Sequence, residues 1–239
     1  MLRTLENMIG YRLVAKDGEI GKVYDFFVDD TVWRLRYLVV ETGNWLNRRR
    51  ILIAPAALGS IDGARREFMV NLTRSQVESG PGIDTDRPVS RQQEMQMNVH
   101  YGWPAYWAPE AVVAVPTTLM EFSDDRPRTE GDPHLRSFRE IGSYSVIFGG
   151  QPVGRAQDFV IEDSTWSLTQ MVMQAGGWMG SRLVALPAGS ITEISWARRS
   201  VTINLSKEAL AALPAFDAAA PVNREEAVVY FDYYGRPVG

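Results

Sequence analysis

Six carboxylates stand out by position: Asp25, Asp29 and Asp30 in the first half of the chain, and Asp158, Glu162 and Asp163 in the second, each 133 residues after its counterpart. Carboxylate oxygens suit hard cations such as calcium and magnesium, so these two acidic turns are the candidate metal ligands. Their spacing is not that of an EF-hand loop. Short acidic side chains at a hairpin mouth also bond the turning backbone, and that structural use is the favoured reading. Asp25 and Asp158 fall inside strands, where a carboxylate is expected to tie a neighbouring loop through backbone N–H groups. No metal and no cofactor is expected.

Other residues with chemical potential are sparse. His100 and His134 are the two histidines, and neither has a repeat counterpart or the serine and carboxylate neighbours of a triad. Gly149-Gly150 lacks the lysine and helix start of a phosphate-binding loop. No enzyme activity is expected. Aromatic residues are better candidates, for contact rather than catalysis. Trp45 and Trp178 sit in corresponding glycine-containing loops, and Tyr101, Trp103, Tyr106 and Trp107 put four large rings in seven residues, with Tyr234 echoing Tyr101. Rings at that density are costly to leave in water. They should pack on a folded module or on a second chain.

The elements that position these residues come in two copies. Gly21-Lys-Val-Tyr-Asp-Phe-Phe-Val-Asp-Asp-Thr-Val-Trp33 returns as Gly154-Arg-Ala-Gln-Asp-Phe-Val-Ile-Glu-Asp-Ser-Thr-Trp166, at the same offset of 133. A repeat of this kind argues for two modules, each burying its own core. In the first, Tyr11 to Ala15 reads as a strand, and Asp17-Gly18 has the composition of a type I′ hairpin turn leading into a second arm, Ile20 to Val28. Trp33, Leu35, Tyr37 and Val39 alternate with Arg34 and Arg36, which places the apolar set on a core and the arginines in water. Ile51 to Ala54 and Glu67 to Leu72 read as further strands, and Thr73-Arg-Ser-Gln76 has the spacing of a capping box opening a helical turn. Short strands with no long helix to cover them close most easily into a small barrel.

In the second copy Gly149-Gly150 replaces the Asp-Gly turn and Gln170 stands where Tyr37 stands. Pro187 follows Pro55 by 132, which suggests one residue lost in the loop before it. Beyond each module a tail repeats: Pro88, Arg91, Tyr101, Gly102 and Pro104 recur as Pro221, Arg224, Tyr234, Gly235 and Pro237, with short helices expected over 91–98 and 224–230. The organisation is therefore a first repeat with tail over 1–104, a linker over 105–136 and a second repeat with tail over 137–239.

Composition narrows the class. The chain has 239 residues, 45% hydrophobic and 23% charged, with a net charge of -4. That suits a folded globular protein and gives no ground for a nucleic-acid partner. Arg48-Arg49-Arg50 and Arg65-Arg66 are expected to be solvated strand ends. No segment reaches the roughly 20 apolar residues of a membrane span, so no direct insertion is expected. The absence of cysteine fits a reducing, cytoplasmic setting.

Taken together, Gly18, Gly21, Asp25, Phe26, Val28, Asp30, Trp33, Tyr37 and Val39, followed by Ile53, Pro55 and Val70, resemble the PRC-barrel family, over about residues 5–80 and again over 138–213. The resemblance implies a mainly β protein of two small barrels in tandem, each with a helical turn and an aromatic tail. It also implies a docking or support role like that of the barrel shared by the photosynthetic reaction centre H subunit and the ribosome maturation factor RimM. The expected function is non-catalytic protein binding or scaffolding in a bacterial protein, with the copies packed as a pseudo-symmetric pair. The expected partner is a protein, and a homo-oligomer is compatible with the sequence. The alternatives are a small-ligand or divalent-metal binder using the acidic turns, and a support subunit of a membrane electron-transfer complex.

Overall fold

The structure is a computed structural model and describes residues 1–42, 49–80, 91–103 and 135–218. Trp45, Tyr106, Trp107, Tyr234, His134 and the expected helix over 224–230 lie outside the described residues.

The first copy contains strands β1 (Leu2–Thr4), β2 (Arg12–Ala15), β3 (Gly18–Asp29), β4 (Arg34–Thr42), β5 (Arg49–Ile53), β6 (Leu58–Asp62) and β7 (Glu67–Val70), with helices α1 (Leu5–Met8), α2 (Arg74–Glu78) and α3 (Arg91–Tyr101). The second contains β8 (Leu135–Ser137), β9 (Ser145–Phe148), β10 (Gln151–Glu162), β11 (Ser167–Ala175), β12 (Leu183–Pro187), β13 (Ile191–Ser195) and β14 (Ser200–Ile203), with α4 (Phe138–Ile141) and α5 (Lys207–Ala212). Within each copy the strand order is the same, β6-β7-β2-β3-β4-β5 and β13-β14-β9-β10-β11-β12. β5 and β6 are joined by a 3-10 turn, Pro55–Ala57, and β12 and β13 by its counterpart, Ala188–Ser190. The expected capping box is present at Thr73 and Gln76, and Ser206 caps α5 by accepting from the Ala209 amide, where alanine returns no side-chain bond.

Residue types explain the long central strands. β3 and β4 concentrate aromatic and branched side chains over residues 23–28 and 37–40, and the repeat glycine allows the strands to approach closely. A Cβ added at Gly21 would stand 2.2 Å from the Glu41 carbonyl oxygen, and one at Gly154 would stand 2.4 Å from that of Gln174.

Several expectations are corrected. The apolar alternation of β4 does not run on one face, because a bulge at Arg36 lies between the pairs Phe27↔Tyr37 and Val28↔Leu35. An extra residue reverses the side-chain alternation. Leu35 therefore joins Leu38 and Val40 in the main core, while Tyr37 and Val39 face a second cluster with Phe27, Leu52 and Met97. Both faces of the strand are buried, and Arg36 is not solvated: it forms an ion pair with Asp29 at 2.8 Å. The same bulge recurs at Thr169.

The hairpin turns are also exchanged relative to expectation. Ala15 pairs with Gly18, so Lys16 and Asp17 form the first loop, and neither has the positive φ that a type I′ turn requires. Gly149 and Gly150, with φ of 56° and 78°, do have it, between Phe148 and Gln151. The inferred one-residue deletion is absent: Val39 pairs with Leu52 and Val172 with Ala185, which keeps the offset at 133. Pro187 ends β12 where Ala54 precedes the 3-10 turn, and Pro55 opens that turn, so the two prolines are not equivalent.

The largest correction concerns the core. The copies do not bury separate cores: one contiguous apolar cluster runs through both, from Leu5, Phe26 and Phe68 to Phe138, Phe159 and Val201. The strands form one sheet path, joined where β4 meets β11 at Arg34↔Ser167. Leu135 and Arg136, expected in the linker, instead lie in strand β8 on the first copy.

Candidate interaction site at the joint between the copies

Each copy lends its first strand and helix to the other. β1 pairs with β10 in the register Leu2↔Glu162, Arg3↔Ile161 and Thr4↔Val160. β8 pairs with β3 as Leu135↔Asp29, Arg136↔Val28 and Ser137↔Phe27, every residue again offset by 133. At the centre, the Leu35 amide donates to the Trp166 carbonyl at 2.9 Å and the Leu168 amide donates to the Trp33 carbonyl at 2.7 Å.

The acidic residues find their use here. Asp25 accepts hydrogen bonds from Ser137 Oγ at 2.6 Å, from the Arg139 amide at 3.1 Å and from the Phe26 amide at 2.7 Å, so it holds the start of α4. Asp158 does the same for α1, accepting from the Glu6 amide at 3.0 Å, the Phe159 amide at 2.7 Å and the Thr4 hydroxyl. Both carboxyls are pushed up from the ordinary aspartate range by burial, against these hydrogen bonds; Asp158 reaches about 6. Asp30 pairs with Arg136 at 3.0 Å, and Asp163 with Arg3 at 2.9 Å.

Asp29 has a different task. One oxygen accepts from the Thr31 amide and hydroxyl and the other from Arg36 Nε and Nη2, which fixes the turn before Trp33. Burial pushes its pKa up, but the Thr31 and Arg36 bonds outweigh that and hold it below the ordinary value. Glu162 accepts a bond from Thr165 Oγ1 at 3.3 Å, which ties it to its own turn. Among the described residues no group of three or more acidic or histidine side chains gathers in a metal-binding arrangement.

Trp33 and Trp166 anchor the joint with unusual backbone, at φ of 52° and 58°. Bulky residues rarely occupy this left-handed region, so packing must hold them there. The Trp33 ring faces Phe159 with centroids 6.3 Å apart, and the Trp166 ring faces Phe68 at 6.4 Å, each across the copies. Tyr24 lies between the guanidiniums of Arg50 and Arg139, at 3.8 and 4.4 Å from its ring centroid, a contact that again spans the copies. Arg49 reaches the carbonyls of Glu78 and Gly80 and Arg66 lies over the Tyr11 ring, while Arg65 is 76% exposed, as expected of a solvated strand end; Arg48 lies outside the described residues.

The expected contact aromatics divide. Tyr101, the last residue of α3, stacks on Trp103 at 4.3 Å between centroids; both rings pack on the shared core, and Tyr101 also on the cluster that holds Met97. α3 is pinned by the Tyr37 hydroxyl, which donates to the buried Glu94 carboxylate at 2.7 Å. Its outer side exposes Met95 and Val99 beside His100, whose ring bonds the Gln76 carbonyl. Trp178 is 49% exposed, with Lys207 Nζ 5.3 Å from its ring centre.

Sequence reasoning missed Arg3, Thr4, Arg136 and Ser137. Their signal was available, since Leu2-Arg3-Thr4 repeats as Leu135-Arg136-Ser137 at the common offset.

Residues 3–77 match the family model described as the PRC-barrel domain. The first copy belongs to the PRC-barrel family. An uncharacterized protein of Deinococcus radiodurans is similar to the chain, 27% identical over 133 residues, which are 51% of this chain and 47% of that protein. The chain thus spans about half the length of that relative. The second copy repeats the strand order and bulges of the first, although the family match lies in the first. No helix among the described residues is long and apolar enough to cross a membrane.

Proposed function

We propose that the protein is a non-catalytic scaffolding or protein-binding body, made of two PRC-type barrels that complete one another. The observation that carries this reading is the use made of its buried acids. Asp25 and Asp158, the groups whose raised pKa would otherwise mark them as acid–base candidates, are spent on the first turns of α4 and α1. A catalytic carboxyl needs access to substrate, whereas these face helix starts supplied by the other copy. The result is one body with a shared core, suited to presenting surfaces at fixed spacing.

The test is chemical cross-linking of the intact protein in native extract, followed by titration of the recovered protein against the pure chain. Saturable binding at equal stoichiometry, without chemical change in either component, is expected. Turnover of a small molecule that disappears on replacing Asp25 or Asp158 with Asn, with the fold retained, would overturn it.

A further inference from the structure

We propose that the joint is an isologous surface that also accepts a second copy of this chain, with the first copy of one molecule taking the first copy of another in the place its own second copy occupies. The inference deepens the scaffold reading and rests on it, by naming a partner.

An isologous interface requires that one surface carry both halves of every contact. The first copy meets that requirement. It supplies Arg3 to Asp163, and it also carries Asp30, the counterpart of Asp163, already paired with Arg136, the counterpart of Arg3. It supplies Thr4 and the Glu6 amide to Asp158, and it carries Asp25, which receives Ser137 and the Arg139 amide. Its Leu35 amide and Trp33 carbonyl are the two ends of the central bonds. β1 adds to β10 in the same register in which β8 adds to β3, so β1 of another molecule fits β3 residue for residue.

The aromatic contacts distinguish the copies. Trp33 packs on Phe159, whose counterpart is Phe26, and Trp166 packs on Phe68. A pair of first copies holds Trp33, Phe26 and Phe68 on both sides and so keeps both contacts. In a pair of second copies the position of Phe68 is filled by Val201, and that ring contact is lost. The first copy is therefore the self-complementary one. Within a single chain the covalent connection favours the internal pair, through an effective concentration on the order of millimolar.

Two full-length charge variants test this. In Arg136→Asp with Asp163→Arg, Arg3 meets an arginine and Asp30 meets an aspartate inside the chain, while a pair of first copies from two molecules still matches Arg3 with Asp30 and the second copies match their introduced charges. In the control, Arg3→Asp with Asp163→Arg, the internal pairs stay matched and a pair of first copies is repelled. Sedimentation at low ionic strength should give the first variant twice the mass of the control, with equal circular dichroism. A first variant with the control's mass, whether folded or unfolded, overturns the proposal. That result leaves the scaffold reading standing, because cross-linking to a different protein tests it separately.

Discussion

The Leu168 amide donates to the Trp33 carbonyl across the joint at 2.7 Å, and Leu35 returns the bond to Trp166 at 2.9 Å. These bonds hold both tryptophans in the left-handed region, at a backbone cost that only glycine escapes. The rings offset that cost by packing on Phe159 and Phe68.

Replacing Trp33 separates the two terms. Trp33→Ala loses the ring and keeps the strained φ, and is expected to cost about 3 kcal/mol, at the lower end for a large aromatic because the side chain is only partly buried. Trp33→Gly loses the same ring but relieves the backbone, so it should be the more stable of the two by about 1 kcal/mol. Urea midpoints of both variants against the natural chain check this; an alanine variant at least as stable as the glycine one would show that the backbone term is negligible.

Gly21 and Gly154 are expected to be intolerant of alanine. The added methyl would meet a backbone carbonyl at 2.2 or 2.4 Å, and backbone cannot step aside as a side-chain end can. Parting β3 from β4, or β10 from β11, breaks the central ladder of each copy. Thermal unfolding should show Gly21→Ala or Gly154→Ala destabilised by about 2 kcal/mol or more.

Much of this was legible in the sequence, because a constant offset survives divergence. The equivalence of Trp33 with Trp166 and of the long strands follows from it, while the capping box at Thr73 was readable from the Thr-x-x-Gln spacing alone. The exchange of β1 and β8 was not legible. Strand periodicity tells which side chains are apolar but not which copy covers them, and a first strand fits its own barrel or a twin equally well. The bulges at Arg36 and Thr169 escaped for a similar reason, since the inserted residues differ in type while the register shift is the same. Asp25 and Asp158 were readable as loop ties, but that the tied element belongs to the other copy was not.

Tyr37 and Gln170 show what divergence has left behind. The Tyr37 hydroxyl has Glu94 on α3, but Gln170, 2% exposed in the same position of the second copy, leaves its Nε2 with no hydrogen-bond partner among the described residues. A buried unpaired donor costs about 1–3 kcal/mol. Gln170→Met, close in volume and without the amide, should therefore stabilise the protein by about 1–2 kcal/mol. Tyr37→Phe should destabilise it by about 2 kcal/mol and raise amide exchange along α3. Denaturant unfolding with hydrogen exchange reads both, and a destabilised Gln170→Met would show that the amide has a structural use.

Asp158 sets a pH dependence whose sign follows from its environment. Burial raises its folded-state pKa from 3.8 to about 6, so between those values the folded chain holds a proton that the unfolded chain has released. Stability from this group is therefore greatest below about pH 4, falls as pH rises, and levels off above about pH 6; the loss is at most about 3 kcal/mol. Asp29 works against it, because its lowered pKa adds stability as pH rises through the acid range. Asp158→Asn isolates the term. Its side-chain oxygen can still accept from the Glu6 and Phe159 amides, as Asp158 Oδ1 does, and it carries no charge to bury. The variant should gain on the natural chain as pH rises from 4.5 to 7, seen as a growing difference in urea midpoint. A difference that stays constant over that range would mean that Asp158 ionises in the folded protein as freely as it does in the unfolded chain.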